Sequence, residues 1–225
     1  MNRYLVLSFD DGPIQDKRFV ELLNKYNIPA TFNLNSGLEN FVWYYENKTP
    51  IKRIKFDECL ELYNNHEIAS HTVNHPFLTD LDEHELIHQV GDDATTLSKI
   101  FNREITSFAV PFTACNEREI EIIKNRTPIK AIRLSKFTNK SDFSVPADNY
   151  HFMCNSYYNN PDIYEHILEF SKNTLDKSIF IIVGHSYEFE VLNEWDKIEN
   201  LIKYIKTFDS FEVVTFKDAI KKLRE

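Results

Sequence analysis

Short runs of β-branched and aromatic residues alternate along this chain with longer segments whose apolar side chains recur every three to four positions. That alternation predicts a parallel sheet whose strands are joined by crossover helices. Residues 4–9, 30–34, 68–70, 106–110, 131–134, 178–183 and 211–215 carry the strand pattern. Residues 17–26 bring Phe19, Leu22, Leu23 and Tyr26 to one helical face, and residues 82–101 do the same with Leu86, Val90, Leu97 and Phe101. Residues 117–125, 161–175, 194–208 and 217–223 follow the same periodicity, with Pro161 suited to a first helical turn. Seven strand-and-helix units, with no Gly/Ser linker and no internal repeat, predict one α/β domain over residues 1–225, closed as a barrel.

Composition narrows the class. The 225 residues carry 26 basic and 35 acidic side chains, a formal charge of −9 that argues against nucleic acid as a partner. With 42% hydrophobic residues the chain has material for a packed core, and its four glycines and eight prolines are few for an all-β chain with many tight turns. Cys59, Cys115 and Cys154 form no CxxC pair, so neither a disulfide framework, a disulfide-linked partner nor a thiolate zinc site is expected. No apolar run approaches the roughly 20 residues of a membrane span. The first residues lack a cleavable apolar leader, and the chain as written reads as cytoplasmic.

The chemically capable residues fall in a pattern. Asp10 and Asp11 follow the first strand run, His71 follows residues 68–70, and His185 follows residues 179–183 after one glycine. Each lies just past the C-terminal end of a strand, the edge at which α/β proteins build their sites. His71 and His75, four apart at a strand-to-loop transition ended by Pro76, have the spacing to bind one metal ion. His84 and His88 share the spacing but sit on an amphipathic helix, where a solvated face is expected. Asp11 would add a carboxylate from another strand, and a His2Asp set leaves coordination positions open, as catalytic zinc sites do. Asp10, beside a metal but not on it, would stay ionised and accept a proton. Gly12 and Pro13 would shape the turn.

Together these residues resemble the polysaccharide deacetylases of the NodB-homology type, carbohydrate esterase family 4. Ser8-Phe9-Asp10-Asp11-Gly12-Pro13 is similar to the family's first motif, usually Thr-Phe-Asp-Asp-Gly-Pro, and His71-Thr72-Val73-Asn74-His75 to its second, His-Ser/Thr-x-x-His. The apolar run 179–183 ending in Gly184-His185 is similar to the last. The resemblance implies a distorted (β/α)7 barrel, a metal held by Asp11, His71 and His75, Asp10 as base and His185 as acid. It also implies hydrolysis of an acetyl group from a carbohydrate such as an N-acetylhexosamine unit. Zinc is the expected divalent ion, with cobalt, manganese or nickel open.

The third motif departs from the family pattern. Ala109-Val110-Pro111-Phe112 stands where Arg-x-Pro-Tyr/Phe is usual, so the arginine that would tune the catalytic aspartate is missing. The Phe112 backbone N–H would still serve an oxyanion, and Arg133 is a candidate to return the lost charge. A fourth motif is not found, and His185-Ser-Tyr-Glu-Phe189 differs from the usual ending. Tyr187 and Glu188 are candidate substrate contacts. Trp43, Tyr44, Tyr45, Tyr157 and Tyr158 offer rings that either stack on sugars or pack the interior. Two other readings stay open: a metal-dependent amidohydrolase or deformylase of a small non-polymeric substrate, and a catalytically weak sugar-binding protein, prompted by Ala109.

Overall fold

The computed structural model describes residues 2–139 and 141–225. In chain order it contains β1 (Asn2–Asp10), α1 (Asp16–Lys25), β2 (Thr31–Leu34), β3 (Val42–Tyr45), β4 (Thr49–Lys52), β5 (Glu67–Ser70), α2 (Glu83–Ile87) and α3 (Asp93–Phe101). There follow β6 (Ser107–Ala109), α4 (Glu117–Arg126), β7 (Ala131–Phe137), β8 (Phe152–Cys154), β9 (Ser156–Tyr157), α5 (Ile163–Lys172), β10 (Lys177–Gly184), α6 (Ser186–Val191), α7 (Trp195–Ile205), β11 (Glu212–Val213) and α8 (Phe216–Arg224). The main sheet runs β8-β7-β6-β5-β2-β1-β10-β9 with parallel pairing throughout, and β3 and β4 form a separate antiparallel hairpin.

The two ends of that order, β8 and β9, are neighbours in sequence, separated only by Asn155. One short stretch therefore pairs first with β7 and then with β10, and the sheet comes round nearly closed. Asn155 makes the switch: its N–H donates to the Ile181 carbonyl, its Oδ1 accepts from the Ile181 N–H at 2.7 Å, and its Nδ2 donates to the Asp142 carbonyl. This is the seventh stave, and it corrects the sequence reading in part. Residues 211–215 give only the two-residue β11 beside β1, off the main path, whereas 152–157 lack an uninterrupted apolar run. The hairpin β3–β4 and the helix α6 were likewise not expected. Residues 82–101 bend at a π turn, His88–Asp92, between α2 and α3. Pro161 lies ahead of α5, whose first residue is Ile163, rather than in its first turn.

The period of two along the strands sorts the interior into two clusters. Leu5, Leu7 and Phe9 of β1 face outward against Phe19 and Leu23 of α1, in the larger cluster between sheet and helices. Tyr4 and Val6 face inward with Ile179, Ile181 and Val183 of β10, Ala131 of β7 and Phe152. The C-terminal helix α8 adds Phe216, Ala219, Ile220 and Leu223 to this inner plug. Asp10, beyond Ser8 on β1, and Arg133 on β7 continue the same inward register, and His185 follows it one residue past the end of β10. Apolar side chains thus fill the barrel from one end, and polar ones take over at the C-terminal ends of the strands.

Gly184 ends β10 where a Cβ would lie 2.5 Å from Tyr158 Cδ1 and 3.0 Å from Phe9 Cε1. Both rings are buried, so neither yields without moving its neighbours. Gly184→Ala is expected to lower unfolding free energy by about 1–3 kcal/mol through overpacking, measured by urea denaturation.

Candidate active site

The turn after β1 is built on unusual backbone. Asp11 has φ 82° and Gly12 φ 59°, and a Cβ on Gly12 would stand 2.7 Å from Leu34 Cδ2. A glycine is needed there for both conformation and space. The turn after β5 repeats the device, with Thr72 at φ 72° and His75 at φ 57°. Such left-handed non-glycine residues cost energy and persist only when surrounding bonds fix them. Here the Asp11 N–H donates to the Asn33 carbonyl at 3.0 Å, the His71 N–H to Leu34 at 2.9 Å, and the His75 N–H to Thr72 Oγ1 at 2.9 Å. Asp93, buried at the start of α3, accepts from Ser70 Oγ at 2.6 Å and from the His71 N–H at 3.2 Å.

These turns bring Asp11, His71 and His75 together, with one ligand atom from each within 4.8 Å of the others. His75 Nε2 lies 3.6 Å and His71 Nε2 3.9 Å from Asp11 Oδ1, separations suited to donors about 2 Å from a common ion. His71 Nδ1 is 2.8 Å from the Ala109 carbonyl, so that nitrogen carries the proton and Nε2 presents its lone pair to the cluster. Burial lowers His71 to about 4 and lowers His75 as well, which keeps both imidazoles neutral at neutral pH, as metal ligands must be. The donor set and its protonation fit a divalent cation.

Asp10 sits beside this cluster, its Oδ2 4.0 Å from His71 Nε2. Its Oδ1 accepts from Arg133 Nη2 at 2.5 Å and from Asn33 Nδ2 at 2.6 Å. Arg133 is among the largest fully buried side chains of the described residues, and its guanidinium is paired with Asp10. Burial alone would raise the Asp10 pKa, but Arg133 and the imidazoles of His71 and His185 hold it below the usual carboxylate value. Asp11 is also held low: burial opposes ionisation, and Arg53 with His185, His75 and His71 outweighs it.

His185 stands across the cluster at the N-cap of α6, its Nε2 3.9 Å from Asp11 Oδ2. Its Nδ1 is 2.6 Å from the Tyr157 hydroxyl, which itself donates to both Glu188 oxygens at 2.9 and 2.8 Å. Glu188 also accepts from the His185 N–H at 3.4 Å, closing a capping box. Glu188 is therefore turned toward Tyr157 and His185. Burial disfavours the charged imidazole, but Glu188, Asp11 and Asp10 together raise His185 to about 9. Tyr187 stacks on the His185 ring at 5.1 Å and meets Trp43 of the hairpin edge-on at 5.1 Å. Phe112, at φ 54°, lays its ring against His75 and stacks on Phe77 at 4.1 Å.

A cavity of about 660 Å³ opens over these groups, walled by Phe41 and Trp43 on the hairpin, by Tyr187, and by Phe112 and Phe137. Its lining arginines, Arg53 and Arg133, are both buried and paired with carboxylates. His84 and His88 are elsewhere, with His88 paired to Asp92. Arg53 and Tyr157 escaped the sequence reading. Arg53 follows a hairpin rather than a long strand, and its one visible signal is its place between Ile51 and Ile54, both buried. Tyr157 showed only as one aromatic among several.

The family model described as polysaccharide deacetylase matches residues 2–127. The chain belongs to that family. Asp10, Asp11, His71 and His75 lie inside the matched segment, and Arg133, Tyr157 and His185 lie beyond it. The chain is 29% identical over 117 residues to the peptidoglycan-N-acetylmuramic acid deacetylase PdaC of Bacillus subtilis, a match covering 51% of this chain and 22% of that protein. It is 29% identical over 111 residues to a chitin deacetylase of Pestalotiopsis sp., covering 49% and 34%. The matches thus span about a third or less of the length of these curated relatives. Among solved structures, the Xyl-CE4 domain of a multidomain xylanase from the hindgut metagenome of Trinervitermes trinervoides superposes with TM-score 0.64 at 16% identity, covering 99% of this chain and 91% of that one. A family 4 acetyl xylan esterase from Clostridium thermocellum, solved with a cobalt ion, gives TM-score 0.62 at 16% identity, covering 97% and 90%. The fold is the NodB-type (β/α)7 barrel. No helix of the described residues is long and apolar enough to cross a membrane, and Cys59, Cys115 and Cys154 are free and buried.

Removing one partner of the Asp10–Arg133 pair leaves a buried charge uncompensated. Arg133→Gln is expected to destabilise the protein by about 3–5 kcal/mol, and the double variant Asp10→Asn/Arg133→Gln by clearly less, both read by urea denaturation.

Proposed function

We propose that residues 1–225 form one catalytic domain that removes an acetyl group from the amine of a carbohydrate, with a divalent ion, zinc for preference, held by Asp11, His71 and His75. The observation that carries this reading is the convergence of those three donors beside the arginine-paired Asp10 and the protonatable His185, in a chain of the polysaccharide deacetylase family. A divalent ion at such a site supplies Lewis-acid polarisation of an acyl carbonyl and makes water a better nucleophile at neutral pH. Cobalt, manganese and nickel also suit these donors, since geometry and availability as well as affinity select the ion.

The chain's own groups divide the proton work. Asp10, kept ionised by Arg133, takes a proton from the attacking water through its Oδ2, since Oδ1 is engaged by Arg133 and Asn33. The Phe112 N–H is the candidate donor to the carbonyl oxygen as charge develops on it. His185 carries a proton on Nε2, facing the cluster, while Nδ1–H is held by Tyr157 and, through it, Glu188. Delivery of that proton to the departing amine prevents the tetrahedral species from collapsing back to substrate. The rings of Trp43, Tyr187 and Phe112 offer apolar faces to sugar carbons. With both lining arginines already paired, the cavity offers no free guanidinium to a substrate carboxylate and suits an uncharged acylated sugar. The reading of a catalytically weak sugar binder drew on Ala109, and the pairing of Arg133 with Asp10 weighs against it.

Purified protein loaded with Zn2+ is expected to release acetate from N-acetylated glucosamine oligomers, to lose that activity with a chelator, and to regain it when the metal is returned. His71→Ala should abolish both metal retention and acetate release; a folded variant that kept both would refute the assignment. The pH profile supplies a further check. His185 must be protonated to act, so activity falls as pH rises through its pKa of about 9. A nearby cation lowers that value, which places the alkaline limb at or below pH 9. Glu188→Gln, by removing a negative charge, should shift the limb to lower pH.

A further inference from the structure

Arg53 is buried between the two turns that carry the metal donors. Its Nη1 donates to the Asp11 carbonyl and to Asn35 Oδ1, each at 2.5 Å, and its Nη2 to Asp11 Oδ1 at 3.0 Å. Asn35 continues the chain of bonds, because its Nδ2 donates to the His71 carbonyl and, at 2.9 Å, to the Thr72 carbonyl. The acceptors are therefore the backbone oxygens of both left-handed turns, Asp11 at φ 82° and Thr72 at φ 72°, together with the carboxylate oxygen that faces His71 and His75. Arg53 itself is held in place: its N–H donates to the Phe41 carbonyl at 2.8 Å, and Pro13 bridges to it across the first turn.

We propose that Arg53, acting with Asn35, is a positioning residue that sets the spacing between the Asp11 turn and the His71–His75 turn and so preorganises the metal site. The inference rests on the reading of Asp11, His71 and His75 as the ligand set. A planar guanidinium spans three acceptors in fixed directions, which a lysine ammonium at the same place does not reproduce. The opposite effect also has to be weighed. A cation on Asp11 Oδ1 repels a divalent ion sharing that oxygen, so a purely electrostatic role would weaken metal binding. Geometry wins here because two of the three acceptors are not ligand atoms: those bonds go to the Asp11 backbone and to Asn35, where the ion has nothing to contribute. Outer partners of this kind typically govern metal affinity by about 10–100-fold.

The test measures Zn2+ affinity of the metal-stripped chain of residues 1–225 by chelator competition, and the visible absorption of the Co2+-loaded protein as a report on ligand geometry. Arg53→Gln and Arg53→Lys are each expected to weaken Zn2+ binding at least tenfold and to alter the Co2+ spectrum. Asn35→Ser, which leaves the Arg53–Asp11 pair in place, should weaken binding less, and its effect should not add to that of Arg53→Gln. Should Arg53→Gln fail to fold, Arg53→Lys and Asn35→Ser decide the matter by the same readings. Tighter binding by Arg53→Gln, or wild-type affinity in Arg53→Lys, would overturn the proposal and leave Arg53 as a mere charge. If the unaltered protein binds neither Zn2+ nor Co2+, the ligand assignment itself fails, which separates that failure from this one.

Discussion

Two carboxylates on consecutive residues, both withdrawn from water, set the terms for everything around them. Left alone at a buried strand end, one of Asp10 and Asp11 would take up a proton. The fold prevents this by bringing a separate buried arginine to each: Arg133 from β7 to Asp10 and Arg53 from beyond β4 to Asp11. Each pairing engages Oδ1 and leaves Oδ2 without the arginine. The two Oδ2 atoms face different imidazoles, Asp10 toward His71 and Asp11 toward His185. One adjacent pair of identical side chains is thereby given two different environments.

The inward register of the barrel makes this arrangement possible. Apolar residues and the C-terminal helix fill the lower interior, so groups at the top of β1, β7 and β10 are shielded from solvent beneath and open to the cavity above. A charged pair in such a place is stabilised by geometry more than by Coulomb attraction, since desolvation of both partners opposes it. The supporting bonds from Asn33 and Asn35 are correspondingly part of the site rather than ornament to it.

Much of this was legible in the chain. Short apolar-rich runs between helical patterns gave the staves β1, β2, β5, β6, β7 and β10. Asp10, Asp11, His71 and His185 declared themselves by position at strand ends. The stave at residues 152–157 did not, because it pairs with a different neighbour on either side of Asn155 and neither half is long enough to show a period. Arg53 was hidden for a related reason: what makes it important is the set of backbone oxygens it meets, and these come from turns distant in sequence. Arg133 was readable because it lay on a recognised strand, and the structure makes it the register partner of Ala109 on β6.

That divided stave links architecture to chemistry in another way. Its last residue is Tyr157, which meets His185 across the seam with β10. The hydroxyl that orients the imidazole is thus delivered by the same short segment that zips the sheet into a ring. Loosening of that seam, which rests on two register pairs, would draw the Tyr157 hydroxyl away from His185 Nδ1, while the Asp11 and His71 turns keep their own bonds to Asn33 and Leu34. The bond on His185 Nδ1 and the clustering of Asp11, His71 and His75 thus depend on separate parts of the ring.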